Sequence, residues 1–202
     1  MAEPLYVAFV WHMHQPFYKD ALTGKYSLPW VRLHAVKDYL HMAQVLADYP
    51  EVHATFNFVP CLVEQLDEYA EGQALDQALA VSGKEGWTQK EKEFILSFFF
   101  NIHWDKIVRR YARYNQLLEL RQQVHGEASL LSDEYYRDLV AWFNLAWIDP
   151  NWLEQDETLR SLVRKERHFS YEDIRLILAK QREIIKRILP LYRELEAAGP
   201  VE

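Results

Sequence analysis

The apolar positions of this chain change period once, and the change divides it into two unequal parts. Tyr-Val-Ala-Phe-Val at positions 6–10 is apolar throughout and β-branched or aromatic at all but Ala8, and Trp11-His12-Met13-His14-Gln15-Pro16 follows. Such a run predicts a strand buried on both faces, ended by Pro16, which brings no N–H to a ladder. Pro29 opens a helix whose apolar residues Leu33, Val36, Leu40, Ala43 and Leu46 recur at helical spacing until Tyr49-Pro50. Residues 52–59, Val-His-Ala-Thr-Phe-Asn-Phe-Val, predict a second strand that stops at Pro60. Strand, helix, strand is a right-handed βαβ unit, so the two strands are expected to run parallel.

After position 60 the period is helical throughout. Residues 61–69 and 74–81 predict short helices parted near Gly72. Thr88-Gln89-Lys90-Glu91 is a capping box that opens a helix through Phe100. A longer basic and aromatic helix is expected over 105–124, closed by Gly126. Ser132 caps a helix over 133–147 that Asp149-Pro150 ends, and Ser170 caps the last and longest, with a kink at Pro190 and a stop at Gly199. The expected fold class is α/β, with two parallel strands and a large helical insertion, mostly α by content. Two parallel strands alone leave unpaired backbone groups and bare apolar faces. Gly199-Pro200-Val201-Glu202 reads as the start of a third strand, so the chain is expected to be the first part of a larger domain. Its divisions are then 1–60, the βαβ start; 61–198, the helical insertion; and 199–202.

A net charge of -7 over 202 residues excludes a general nucleic-acid or anionic-membrane partner, since both require a basic face. One cysteine, Cys61, supports neither a disulfide framework nor a thiolate metal site. The N-terminus has no basic segment before an apolar run, and no apolar run reaches membrane-spanning length, so the expectation is a cytoplasmic protein.

The chemistry concentrates at the end of the first strand. Side chains alternate along a strand, so His12 and His14 share one face, about 7 Å apart at ~3.3 Å per residue, where parallel α/β sheets place their ligands. Three readings stand side by side: ligand binding, histidines satisfied by backbone carbonyls, and the first two ligands of a metal site. The loop 17–28 lies directly beyond and is positioned to cover them. His34, Asp38 and His41 fall at i, i+4 and i+7, either a metal stripe or a surface face with an internally paired aspartate. Asn57 ends the second strand and either reaches a ligand or bonds the neighbouring loop. Cys61 reads as a small buried hydrophobe. Lys106, Arg109, Arg110 and Arg113 read as a solvated face paired with acids.

Trp11-His12-Met13-His14-Gln15-Pro16, Leu28-Pro29-Trp30-Val31-Arg32-Leu33-His34 and Thr55-Phe56-Asn57-Phe58-Val59-Pro60 together resemble the N-terminal part of glycoside hydrolase family 57. That family comprises α-glucan-acting amylases, amylopullulanases, branching enzymes and 4-α-glucanotransferases. The resemblance implies an incomplete (β/α)7 barrel, with His14-Gln15-Pro16 as the first family motif and Gly199-Pro200-Val201-Glu202 matching the second, a Gly-x-aliphatic-Glu sequence. It implies that His12, His14 and Glu202 contact the sugar beside the scissile bond. It places the nucleophilic Glu and the general-acid Asp in motifs beyond position 202, so that no catalytic residue is assigned here and these residues alone are expected to be inactive. The implied partners are an α-glucan or maltooligosaccharide and the remainder of the catalytic domain, with no cofactor and no metal. Among aromatics, Trp30 and Trp152, in or next to expected loops, are the better sugar-stacking candidates. Phe98, Phe99, Phe100, Trp104, Tyr111, Tyr114, Trp142, Phe143 and Trp147 are expected in the core. The substrate-binding candidates are therefore His12, His14, Glu202, Asn57 and Trp30. The rival classes are a metal-dependent hydrolase with His12 and His14 as ligands, and a non-catalytic helical carbohydrate-binding or interaction module.

Overall fold

The structure is a computed structural model that describes residues 5–199 and residue 201. β1 (Val10–Met13) and β2 (Thr55–Phe58) pair in parallel, with Val10 opposite Thr55, Trp11 opposite Phe56, His12 opposite Asn57 and Met13 opposite Phe58. The parallel pairing follows the expectation, but both strands are shorter than their apolar runs. Burial also departs from it. Val7, Phe9, Val10 and Trp11 are exposed and only Met13 of β1 is buried. Val10 stands on the face of His12, which nothing among the described residues covers, whereas Phe9 and Trp11 share the helix-facing side of Met13 and line an open recess against Met42 and Val45. Val201 forms a parallel bridge to Ala54, on the approach to β2. Glu202 lies outside the described residues.

The connection from β1 to β2 is helical from Trp30 to Ala47, but not uniformly. α1 (Trp30–His34) passes into a π-helical segment, Ala35–Tyr39, before α2 (Leu40–Ala47) resumes the ordinary pitch. A wide turn frees carbonyls from the i→i−4 ladder, and these find lateral donors. Val36 O accepts from the Asp149 N–H at 3.0 Å, and Tyr39 O from the Tyr192 hydroxyl at 2.9 Å.

The insertion follows its local signals closely. α3 (Pro60–Glu71) starts on proline at its first turn and ends on Gly72 at φ 73, a left-handed position that glycine adopts without a Cβ clash. α4 (Gln77–Ser82) is capped by Asp76, and α5 (Gln89–Phe98) by the complete Thr88–Glu91 box. α6 (Ala112–Gln123) begins later than expected. Residues 101–111 turn instead, held by the Trp104 indole N–H on Phe100 O and the Lys106 N–H on the His103 ring. α7 (Asp133–Ala146) is capped by Ser132. Asp149-Pro150 ends no structure; it opens α8 (Pro150–Gln155), which places Trp152 on a helix, and Asp156 then caps α9 (Glu157–Lys165). The last helix divides at Arg187 into α10 (Tyr171–Lys186) and α11 (Ile188–Ala198), three residues before Pro190, whose missing N–H leaves the preceding turn unbonded.

α10 lies against α3 and α7, and α11 against α2. Phe99, Phe100, Tyr114, Trp142 and Phe143 are core residues as expected. The basic run is less uniform: Arg109 pairs with Asp105 at the surface, whereas Arg113 reaches the fully buried Asp138 at 2.7 Å. The helices also enclose a polar hub. The buried Arg32 guanidinium donates from Nε to Asp76 at 3.0 Å and from Nη1 to Asn144 at 3.2 Å and Gln181 at 2.7 Å.

Candidate functional site

His12 lies in β1, and His14 follows one residue after its end. Their rings sit on one face with centroids 5.5 Å apart and planes at 65°, edge to face, and both residues are exposed. Because His12 and Asn57 are register partners in a parallel pair, their side chains emerge on the same side, and Asn57 is also exposed. Three of the sequence-predicted residues thus share one open surface at the carboxyl end of the sheet. An apolar recess of about 420 Å³, lined by Phe9, Trp11, Met42, Val45, Tyr49 and Phe56 among others, lies on the opposite face and is separate from this group.

The turn that carries His14 is fixed from below by a residue the sequence reading passed over. Gln65 on α3 is fully buried. Its Oε1 accepts the Tyr18 N–H at 2.9 Å, and its Nε2 donates to Pro16 O at 3.0 Å and Cys61 O at 2.8 Å. The available signal was local: Gln65 interrupts the buried stripe Leu62, Leu66, Tyr69, and a polar group in such a stripe requires partners. Cys61 is half-buried with its Sγ directed at Gln15 O, 3.5 Å away, so it packs against the same turn.

Gln15 continues the site toward the helices. The Tyr18 hydroxyl donates to Gln15 Oε1 at 3.0 Å. Burial pushes the Tyr39 hydroxyl above its ordinary pKa, and the nearby polar Gln15 side chain offsets only part of this. Burial likewise raises Tyr18.

The loop 17–28 does not cover the histidines. It folds back on α3, where Lys19 and the Tyr26 hydroxyl both bond the Glu68 carboxylate, and Tyr26 bridges to Lys19 and Asp76. Burial opposes ionisation of Glu68, but those two partners outweigh it and hold its pKa below the ordinary value.

Trp30 is half-buried at the start of α1, with its ring 5.9 Å from Phe98 and 6.0 Å from Trp147. His34 Nδ1 lies 2.6 Å from Asp38 Oδ2, so that aspartate is internally paired. His41 turns elsewhere, to Asp149 at 3.4 Å. Among the described residues no three His, Cys, Asp or Glu side chains are grouped to hold a metal ion, and no helix is long and apolar enough to cross a membrane.

What the surface offers is two imidazoles and an amide, all exposed, at one sheet end. This suits hydrogen bonding to a polyhydroxylated ligand. The sequence model of the family described as glycosyl hydrolase family 57 matches residues 8–202, so the chain belongs to that family. No curated protein and no solved structure matches the chain.

Proposed function

We propose that this member of glycosyl hydrolase family 57 supplies the sugar-binding strand ends of a retaining α-glucan-active glycoside hydrolase or 4-α-glucanotransferase. The observation that carries the reading is the edge-to-face pair His12 and His14 at the end of β1, with Asn57 beside them on β2. In this reading their ring nitrogens and the Asn57 amide bond sugar hydroxyls. Those bonds strengthen as the ring flattens and positive charge builds at the anomeric carbon, which is where binding energy accelerates the reaction. Glu202, which lies outside the described residues, is assigned to the same sugar because it matches the family's second motif. Retaining cleavage needs two carboxyl groups about 5–5.5 Å apart, one a nucleophile and one an acid then base. We assign neither to residues 1–202, and propose that this pair comes from the remainder of an incomplete (β/α)7 barrel. Residues 1–60 are its start and 61–198 its helical insertion.

The test is made on the 202-residue chain. Maltopentaose is expected to shift the His12 and His14 ring resonances saturably, His14→Ala is expected to weaken that binding, and no reducing ends are released on prolonged incubation. Sugar release at enzymatic rates would overturn the assignment of the catalytic pair elsewhere. Unchanged binding in His14→Ala would overturn the histidines' role.

A further inference from the structure

We infer that a cleft between α8, α9 and the turn before α6 binds a phosphate group, inorganic or esterified to a sugar. Arg110, Arg160 and Arg164 line this cleft, a cavity of about 250 Å³. Arg160 and Arg164 stand one helical turn apart on α9, and Arg110 arrives from the turn that precedes α6. The neighbouring basic residues are each matched to an acid: Arg109 to Asp105, Arg113 to Asp138 at 2.7 Å and Lys165 to Asp173 at 2.6 Å. Among the described residues no carboxylate forms an ion pair with Arg110, Arg160 or Arg164, and Glu154 is the one acid that lines the cleft. Three arginines against one glutamate make it locally cationic, in a chain whose net charge is -7.

The arrangement does not serve the fold alone. Like charges at i and i+4 destabilise a helix, and a third guanidinium adds to the repulsion. The dipole at the end of α9 offsets part of this for Arg164, but not for Arg160 near the helix middle or for Arg110. A bound anion relieves all three. The guanidiniums are also positioned: Arg160 Nη1 donates to Glu154 O at 3.0 Å, and that of Arg110 lies over the Tyr111 ring, 6.0 Å from its centre. Tyr111 packs in turn on the buried Trp142 at 4.9 Å. Buried Leu153 and half-buried Val163 and Tyr111 complete the lining, and apolar walls beside charges of one sign focus the field on the space between them. The arginine fork matches two oxygens of one phosphate. A carboxylate offers only two oxygens and one charge, whereas a phosphate monoester offers three acceptor oxygens and close to two charges at neutral pH. The small cleft and the acidic surface around it favour a small phosphate ligand over a polyanion.

The experiment is an NMR titration of the 202-residue chain that follows the arginine Nε–H groups at low ionic strength. The probes are inorganic phosphate, glucose 6-phosphate and glucose. Both anions are expected to shift Arg110, Arg160 and Arg164 saturably, and glucose is expected to leave them unmoved. Arg160→Gln and Arg164→Gln should each weaken phosphate by about fivefold or more, the effect of one lost charge-assisted bond at a partly solvated site. Glu154→Gln should tighten it, a gain that misfolding cannot produce. Arg109→Gln, on the same basic run but outside the cleft, should leave the affinity unchanged. Glucose 6-phosphate binding more tightly than phosphate would assign the site to a sugar ester, and equal affinities would assign it to the phosphate ion; both uphold the site. No saturable shift with either anion, equal weakening by Arg109→Gln and Arg164→Gln, or glucose acting as strongly as glucose 6-phosphate would overturn it.

Discussion

Gln65 holds the turn that follows His14, and its removal has a magnitude that follows from its bonds. In Gln65→Met the Tyr18 N–H and Pro16 O lose their partner, while Cys61 O keeps its place in the α3 ladder. Each orphaned buried group costs ~1–3 kcal/mol. Pro16 is exposed and Tyr18 only half-buried, so water recovers part of this and the sum falls near ~2–3 kcal/mol. With a urea m-value of ~1–3 kcal/mol/M, the unfolding midpoint should drop by roughly 1 M with m unchanged. Gln65→Glu separates hydrogen bonding from packing. It keeps an acceptor for Tyr18 but sets a carboxylate oxygen against Pro16 O and Cys61 O, where the amide had donated at 3.0 and 2.8 Å. At neutral pH it should be less stable than Gln65→Met, and acidification should narrow the gap because a protonated carboxyl donates again. Maltopentaose affinity should fall in both. A Gln65→Met midpoint within experimental error of the parent, or a Gln65→Glu variant as stable as the parent at neutral pH, would refute the reasoning.

Arg32→Met should cost ~3–5 kcal/mol by urea unfolding, because it strands the buried Asp76 with only Tyr69 and the Leu79 N–H as donors. The double variant Arg32→Met with Asp76→Asn should be clearly more stable than the sum of the two singles, and simple additivity would count against the hub. The Glu91 carboxyl is held at about 2, below its ordinary 4.5, first by its hydrogen bond from Lys84 and then by the Thr88 backbone and hydroxyl. A depressed folded value means the contribution is present above about pH 4.5 and is lost as pH falls toward 2. Glu91→Gln should therefore lose less stability than the parent across that window, and parallel curves would dismiss the effect. Exposed Val7, Phe9, Val10 and Trp11 along an open strand should make the chain self-associate, with light-scattering mass rising with concentration and Val10→Lys suppressing it. A monodisperse monomer at high concentration contradicts this.

What the sequence discloses is what adjacent residues decide. The Thr88 box and the Ser132 and Ser170 caps each involve partners three residues apart, so their helices could be placed directly. Asp149 and Asp156 used the same chemistry and were passed over, because proline at 150 reads as a stop when it equally suits a first helical turn. The polar hub was illegible for a different reason. Arg32 meets Asp76, Asn144 and Gln181 across separations of 44, 112 and 149 residues, and no local pattern encodes them. The strand-end histidines and Asn57 were legible because the period of two fixes their face whatever surrounds it. The buried Gln65 beneath them became evident only with its partners in place.

The segment following Trp30 shows how one backbone irregularity changes a chemical reading. At ordinary α-helical pitch His34, Asp38 and His41 would stand on one face, the spacing of a metal stripe. The π-helical turn over Ala35–Tyr39 interrupts that register between the first histidine and the second. His34 keeps Asp38, whereas His41 is carried round to Asp149 across the helix interface. The same turn releases Val36 O to the Asp149 N–H, so one loop residue anchors both the freed carbonyl and the displaced histidine. It also turns the Tyr39 carbonyl to the Tyr192 hydroxyl, 2.9 Å away. The irregularity that dissolves the three-residue stripe is therefore the one that ties this helix to α8 and α11. Restoring α-helical pitch by deleting one residue from the segment, for instance Ala35, should break both lateral bonds and lower the urea unfolding midpoint. An unchanged midpoint is the outcome that would refute the anchoring role of the π-helical turn.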